Sequence, residues 1–359
     1  MYKYGFGTKD STYRELLSSI MQSAISTLKG EHQFDQTDVV DLLGKTAVVT
    51  GGSAGIGFEV AKALAESRAR VLVLSRKSER GEEAVRKIRE VTSGGVDVEY
   101  LEIDLGSAKN VREIADHIRN TEERLDILVC DAGIGVNKYD LTEDGIEHHF
   151  GVNNLGHFCL INRLLPLIRK TALLNQAPAP RIVQLSSSLH LTAPSSIQFA
   201  SLEEINDDSL GANALYARSK LANLLYARFG LAKGVLEKGP GAGRIYALAT
   251  HPGAVATEQQ DQFKDAYGQL FGTLLKTATI PFMRNPEQGS LSTLWAATSP
   301  DVEMMNLNGE YITDPGKWGG ESDQGKDWQL ADNLWKLSTE LISQKAGEDA
   351  LLDWTGVKP

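Results

Sequence analysis

Six short runs rich in β-branched and aliphatic residues recur along this chain, each followed by a segment with helical periodicity. The runs are Lys45–Thr50 (KTAVVT), Arg70–Ser75 (RVLVLS), Val96–Ile103, Ile127–Cys130 (ILVC), Arg181–Ser186 (RIVQLS) and Arg244–Ala249. Helical patterns lie between them at Ile56–Ser67, Ser78–Thr92, Asn110–Asn120, 142–171 and 213–236. Strand and helix alternating through short connections predict a parallel sheet, because parallel strands need crossover helices to join them. Strands buried on both faces read as continuous apolar runs, as these do. Right-handed crossovers then give an α/β fold, a doubly wound parallel sheet in a single domain over residues 44–315. Residues 1–43 read as a helical arm and 316–359 as a helical extension.

The 42% apolar content is enough for a full core. The net charge of −10 and pI near 5.3 exclude sequence-independent nucleic-acid binding, which needs a basic surface. Only two cysteines occur, Cys130 and Cys159, both in apolar segments. A reducing compartment is therefore expected, and the cytoplasm is the default. No run of 18 apolar residues exists, so no spanning helix is expected. Leu17, Ile20, Met21, Ala24 and Leu28 recur at helical spacing in the arm. A helix docked on the body is the first reading of that pattern, and peripheral membrane or organellar association is the alternative.

Ligands meet a doubly wound sheet at the carboxyl ends of its strands, so motifs there carry the most weight. The first strand ends in Thr50-Gly51-Gly52-Ser53-Ala54-Gly55-Ile56-Gly57 and opens directly into a helix. Backbone must approach a pyrophosphate closely at such a turn, and the helix N-terminus presents unpaired N–H groups to the anion. Gly51, Ser53, Gly55, Ile56 and Gly57 are therefore candidate cofactor residues in a Rossmann-type frame. The second strand ends in Leu74-Ser75-Arg76-Lys77, without the acidic residue that holds the ribose 2′-hydroxyl of NAD. Arg76 can instead pair with a 2′-phosphate, which points to NADP(H). Asp104 and Leu105 end the third strand, where the adenine edge is expected.

Tyr216 and Lys220 are four residues apart, on one face of a helix. Of ten tyrosines, only Tyr216 has a lysine at that spacing. An adjacent ammonium is expected to lower the phenol's pKa and make it a proton carrier near neutral pH. Ser187, within three consecutive serines at the end of the fifth strand, can donate to a developing oxyanion. The register among Ser186, Ser187 and Ser188 stays open. Asn153 is read as holding, through its amide, a water that relays protons to Lys220, with Asn154 as the register alternative. The histidines have no ligand-like spacing, so no metal is expected. Residues 258–283 are expected to form a substrate lid with an apolar face, suited to a lipophilic carbonyl or alcohol.

In order and spacing these motifs resemble the short-chain dehydrogenase/reductase family over roughly 44–315. The carriers are TGGSAGIG, Asp104, Asp131-Ala132-Gly133, Asn153, Ser187, YARSK, and His251-Pro252-Gly253 with Thr257. VNNLGHF, SKLANLLYA, HPGAV and the 29-position step from Ser187 to Tyr216 resemble the retinol-dehydrogenase-like branch. The resemblance implies a tetrad of Asn153, Ser187, Tyr216 and Lys220, with Lys220 also on the nicotinamide ribose. It implies that Ala132 and Gly133 line the cofactor, and that Pro252, Gly253 and Thr257 flank the carboxamide. It further implies reduction with NADPH and dimerisation through the two long helices. The chain departs from the family at Cys130-Asp131, where Asn-Asn is usual. Rival readings on this fold are a non-catalytic NADP-binding sensor or scaffold, and a nucleotide-sugar epimerase or dehydratase with a larger C-terminal domain.

Overall fold

The computed structural model describes residues 33–92, 95–255 and 283–356. The amphipathic pattern at 11–29, Thr257 and all of the expected lid except Met283 lie outside these residues. Eight strands form one sheet in the order β3-β2-β1-β4-β5-β6-β7-β8. They are β1 Thr46–Thr50, β2 Arg70–Ser75, β3 Val98–Glu102, β4 Ile127–Cys130, β5 Arg181–Leu185, β6 Tyr246–Thr250, β7 Tyr311–Asp314 and β8 Lys317–Trp318. All pairings are parallel except the short β7–β8 edge. The strand order reverses between β1 and β4, which opens the crevice where such sheets take their ligands.

The main helices are α1 Gly55–Glu66, α2 Ser78–Val91, α3 Ala108–Thr121, α4 Gly156–Ala172, α5 Ala212–Leu225, α6 Pro286–Thr298 and α7 Trp328–Ala346. β1, β4, β5 and β6 are buried along their whole length, sandwiched between helical layers. That double cover is why the apolar runs are unbroken. The helix read over 142–171 begins only at His148. Its first turn, His148–Phe150, leads into a π-helical segment, Gly151–Leu155, before α4. Residues 142–147 form a turn that Asn206 holds, accepting from the Glu147 N–H at 2.8 Å and donating to the Gly145 carbonyl at 2.8 Å.

The C-terminal segment does not build a separate lobe among the described residues. It lies on the two long helices. Leu334 and Leu341 of α7 are buried, and the Trp335 ring meets Phe158 and Tyr226 edge-on and Trp354 at a tilt. Beyond α7, Asn162 exchanges two hydrogen bonds with the Leu352 backbone, and Arg169 donates to the Trp354 carbonyl at 2.9 Å. The C-terminal segment thus packs on the same two helices through which dimerisation is expected. Trp328, the first residue of α7, is 65% exposed.

Candidate active site

The glycine turn owes its shape to close approach rather than to flexibility. Gly51 has φ +70, and a Cβ there would stand 2.8 Å from the Ala132 Cα. A Cβ on Gly57 would stand 2.5 Å from the Gly51 carbonyl oxygen and 2.7 Å from Asp131 Oδ2. The turn from β1 is therefore pressed against the residues that follow β4. Ala54 caps α1 without any side-chain hydrogen bond. Of the leading N–H groups of that helix, Gly57 donates to the Asp131 carboxyl, and the Gly55 and Ile56 N–H groups before it are left for an anion. Ile56 packs its side chain into the core, so only its backbone can serve a phosphate.

Thr50, His157 and Asn153 tie this turn to the helix behind it. Thr50 Oγ1 accepts from the Ala132 N–H at 3.1 Å and lies 2.8 Å from His157 Nε2. The other ring nitrogen, Nδ1, lies 3.0 Å from the Asn153 carbonyl. A carbonyl only accepts, so Nδ1 carries the hydrogen and Thr50 donates to Nε2. Burial pushes the His157 pKa down to about 4, which keeps the ring neutral. Sequence reasoning missed His157; its only signal was its place inside VNNLGHF.

Lys220 is 4% exposed and donates from Nζ to the Leu185 carbonyl at 2.9 Å. Its Nζ lies 5.5 Å from the centre of the Tyr216 ring. Burial lowers the Lys220 pKa to about 8, against the opposing pull of Asp131. The Tyr216 phenol moves the other way. Burial raises it to about 12, although a hydrogen bond with the Ser187 side chain favours the phenolate. The expected lowering by an adjacent ammonium is corrected: the amine bonds a backbone carbonyl, and loss of hydration dominates at the phenol. Tyr216 therefore holds its proton at neutral pH.

The three serines separate cleanly. Ser186 Oγ is buried and donates to the Lys220 carbonyl at 2.7 Å. The Ser188 N–H donates to His251 Nδ1 at 3.2 Å. Ser187 bonds Tyr216 and accepts from the Leu189 N–H at 3.2 Å. The role given to the Asn153 amide is corrected. Its Oδ1 accepts from the Ile134 N–H at 2.7 Å, and its Nδ2 donates to the Ile134 carbonyl and to Ser219 Oγ. Both amide hydrogens are engaged, so the side chain braces the loop after β4 instead of holding a water for Lys220. Asn154 donates to Asn223 Oδ1, away from the phenol.

At the adenine side, Arg76 is exposed at the end of β2. Asp104 Oδ1 accepts from the Gly106 N–H at 2.8 Å and shapes its own turn. The Leu105 side chain is buried in the core beneath Gly156, so only its backbone is left for the adenine side. Gly133 lies against the Asn153 amide, where a Cβ would come within 3.1 Å of Oδ1. Pro252 and Gly253 (φ +82) follow β6, and the Arg284 side chain fills the space beside Gly253. Arg284 donates to the Pro252 carbonyl and pairs with Asp314 of β7 at 2.7 Å. Neither Arg284 nor Asp314 carries a motif that could have revealed this clamp.

Behind Tyr216 lies a second cluster, Glu147, His149 and Arg218, each 0% exposed. Arg218 donates to Glu147 Oε2 at 3.2 Å and to the carbonyls of Glu204 and Ile205. His149 joins Glu147 Oε1 at 2.7 Å and the Gly135 carbonyl at 2.9 Å. The cluster pins three segments together: the loop after β4, the long step between Ser187 and Tyr216, and α5.

A dinucleotide fits this crevice. The glycine turn leaves backbone room, α1 offers an uncapped N-terminus, and a phenol, an amine and a hydroxyl converge at the adjoining strand ends. Fold and cleft define an NAD(P)-dependent oxidoreductase. The pattern of the short chain dehydrogenase family matches residues 45–197. The mitochondrial oxidoreductase bli-4 of Neurospora crassa is 38% identical over 320 residues, covering 88% of this chain and 76% of that one. Mouse retinol dehydrogenase 12 is 36% identical over 307 residues, covering 85% and 89%. Among solved structures, a Pseudomonas aeruginosa RhlG/NADP active-site complex is 26% identical with a TM-score of 0.57, covering 77% of this chain and 97% of that one. The chain belongs to the short-chain dehydrogenase/reductase family, in its retinol-dehydrogenase-like branch.

Proposed function

We propose that this enzyme reduces a lipophilic aldehyde or ketone with NADPH, using Tyr216, Lys220 and Ser187 at the reacting oxygen. The observation that carries the reading is the Tyr216 phenol bonded to Ser187, with the buried Lys220 amine one helical turn away and 5.5 Å from the ring centre. When bound, the nicotinamide supplies the hydride in this direction. Ser187 and Tyr216 hold the substrate oxygen, and Tyr216 passes it a proton as negative charge develops. Lys220 stabilises the resulting phenolate through its charge. Asn153 is a positioning residue that holds the loop after β4 against α5. Gly51, Ser53, Gly55, Ile56 and Gly57 hold the pyrophosphate through backbone, and Ala132, Gly133, Pro252 and Gly253 line the walls. Thr257, with Pro252 and Gly253, is assigned to the carboxamide side. The retinol dehydrogenases among the relatives support a lipophilic substrate. The test is NADPH consumption against long-chain aldehydes, retinal and short polar aldehydes; preference for the polar set overturns the substrate reading.

Preference for NADPH over NADH rests on Arg76. A charge-assisted contact to a phosphate contributes about 1.5–3 kcal/mol. Arg76→Ala is therefore expected to raise the KM for NADPH about tenfold to a hundredfold and leave that for NADH nearly unchanged. Equal loss with both cofactors removes Arg76 from the 2′-phosphate.

Among the described residues no helix is long and apolar enough to cross a membrane. Both cysteines are free and buried, which supports a reducing compartment, cytoplasmic or organellar. Because α4 and α5 are covered from within the chain, the protein is expected to sediment as a monomer. A stable dimer at micromolar concentration means that another surface pairs.

A further inference from the structure

Asp131 follows β4 at the crevice, where the family pattern has an amide. The Gly57 N–H donates to its carboxyl, but Oδ1 is buried without a hydrogen-bond partner. Cys130 is registered against Gln184, so the next position along β4 runs beside Leu185, whose carbonyl accepts from Lys220 Nζ. Adjacent strands lie about 4.8 Å apart. A buried amine with one neutral acceptor needs an opposite charge to stay protonated. Asp131 is the carboxylate whose charge reaches Lys220, and Lys220 is the cation that reaches Asp131.

We propose that Asp131 is the counter-ion of Lys220, a positioning residue whose carboxylate keeps the buried amine charged and so sets the pH range over which Tyr216 delivers its proton. This rests on the Tyr216–Lys220 reading above. The groups around the carboxyl are Lys220 and Tyr216 from α5, the Gly57 N–H from α1, and the Cys130 thiol beside it. His157 of α4 faces Lys220 but is neutral. Burial raises Asp131 to about 7 while Lys220 draws it down, and burial lowers Lys220 to about 8 while Asp131 draws it up. The two charges therefore coexist in a narrow window near neutrality, titrating as a coupled pair.

Asp131→Asn keeps the shape and an acceptor for Gly57 but removes the charge. One arm needs neither cofactor nor turnover. A carboxyl raised from 3.8 to about 7 takes up a proton on folding between those values. Its contribution to stability therefore falls as pH rises through that window, and the asparagine variant does not share the fall. The melting temperature of D131N relative to wild type is expected to climb from about pH 4 to about pH 7. With Lys220→Met as background, the climb should extend to higher pH, because Asp131 loses its cation. An identical climb in both backgrounds, or none, overturns the pairing. In the second arm, decanal reduction with NADPH is followed against pH. Without the carboxylate the amine deprotonates earlier, so the alkaline limb of kcat should move down by about one unit or more. A limb that stays in place also overturns the proposal. Absence of turnover in the wild type counts against the enzyme reading alone, and the melting arm still decides Asp131.

Discussion

Tyr216→Phe is expected to bind NADPH and melt like the wild type, yet to reduce its carbonyl substrate about a hundred- to ten-thousandfold more slowly. Only the phenol oxygen changes. The ring keeps its place between the Lys220 amine and His149, whose ring lies edge-on at 6.4 Å. Ser187 keeps the Leu189 N–H but loses the phenol, and the reacting oxygen loses its proton source. Because burial raises the phenol to about 12, it is already protonated at neutral pH, and the reduction direction needs no prior titration. Reduction should fade as pH rises through the Lys220 value of about 8, where the stabilising ammonium is lost. Stopped-flow NADPH fluorescence separates binding from turnover. If the phenylalanine variant keeps more than about a tenth of kcat, proton delivery runs through another group.

Glu147→Ala is expected to cost about 3–5 kcal/mol of stability, the largest loss foreseen from one surface-remote carboxylate. Arg218 stays behind as a fully buried guanidinium whose remaining partners are the neutral carbonyls of Glu204 and Ile205. His149 and Phe150 lose the oxygen atoms that cap their N–H groups. Burial alone would raise Glu147, but the hydrogen bonds of His149 and the charge of Arg218 hold it below the ordinary glutamate value. A depressed carboxyl contributes stability above its unfolded value of 4.5 and loses it as pH falls through the folded one. Wild type should thus lose stability in acid more steeply than Glu147→Ala. Urea titration across pH measures both effects; parallel curves for the two proteins would remove Glu147 from the acid response. Turnover should fall as well, since the cluster fixes the segments on either side of Tyr216.

The sheet was readable because each buried parallel strand must be apolar along its length and each crossover must be a helix. β1 to β6 follow from that rule within a residue or two, and so do the helices between them except the one read over 142–171, which begins at His148. The glycine turn, Tyr216 and Lys220 were equally readable, since local spacing alone places them on one turn or one helix face. β7 was not: four residues pairing at two registered positions with β6 leave no pattern of their own. The π-helical step at Gly151–Leu155 was also hidden, because distant atoms of Ile134 and Ser219 hold Asn153 there.

Sequence alone determined the alternation of strand and helix, the end of the sheet where the glycine turn lies, and the placing of Tyr216 and Lys220 on one helix face. These depend on periodicity and short spacing, which operate within a few residues. Tertiary structure alone decided which serine faces the phenol, where the Asn153 amide turns, and the raised and lowered proton affinities of Tyr216 and Lys220. It also decided that α4 and α5 are covered by the chain's own end. Hydration and burial are properties of the packed whole, set by residues as far apart in sequence as Asn162 and Leu352.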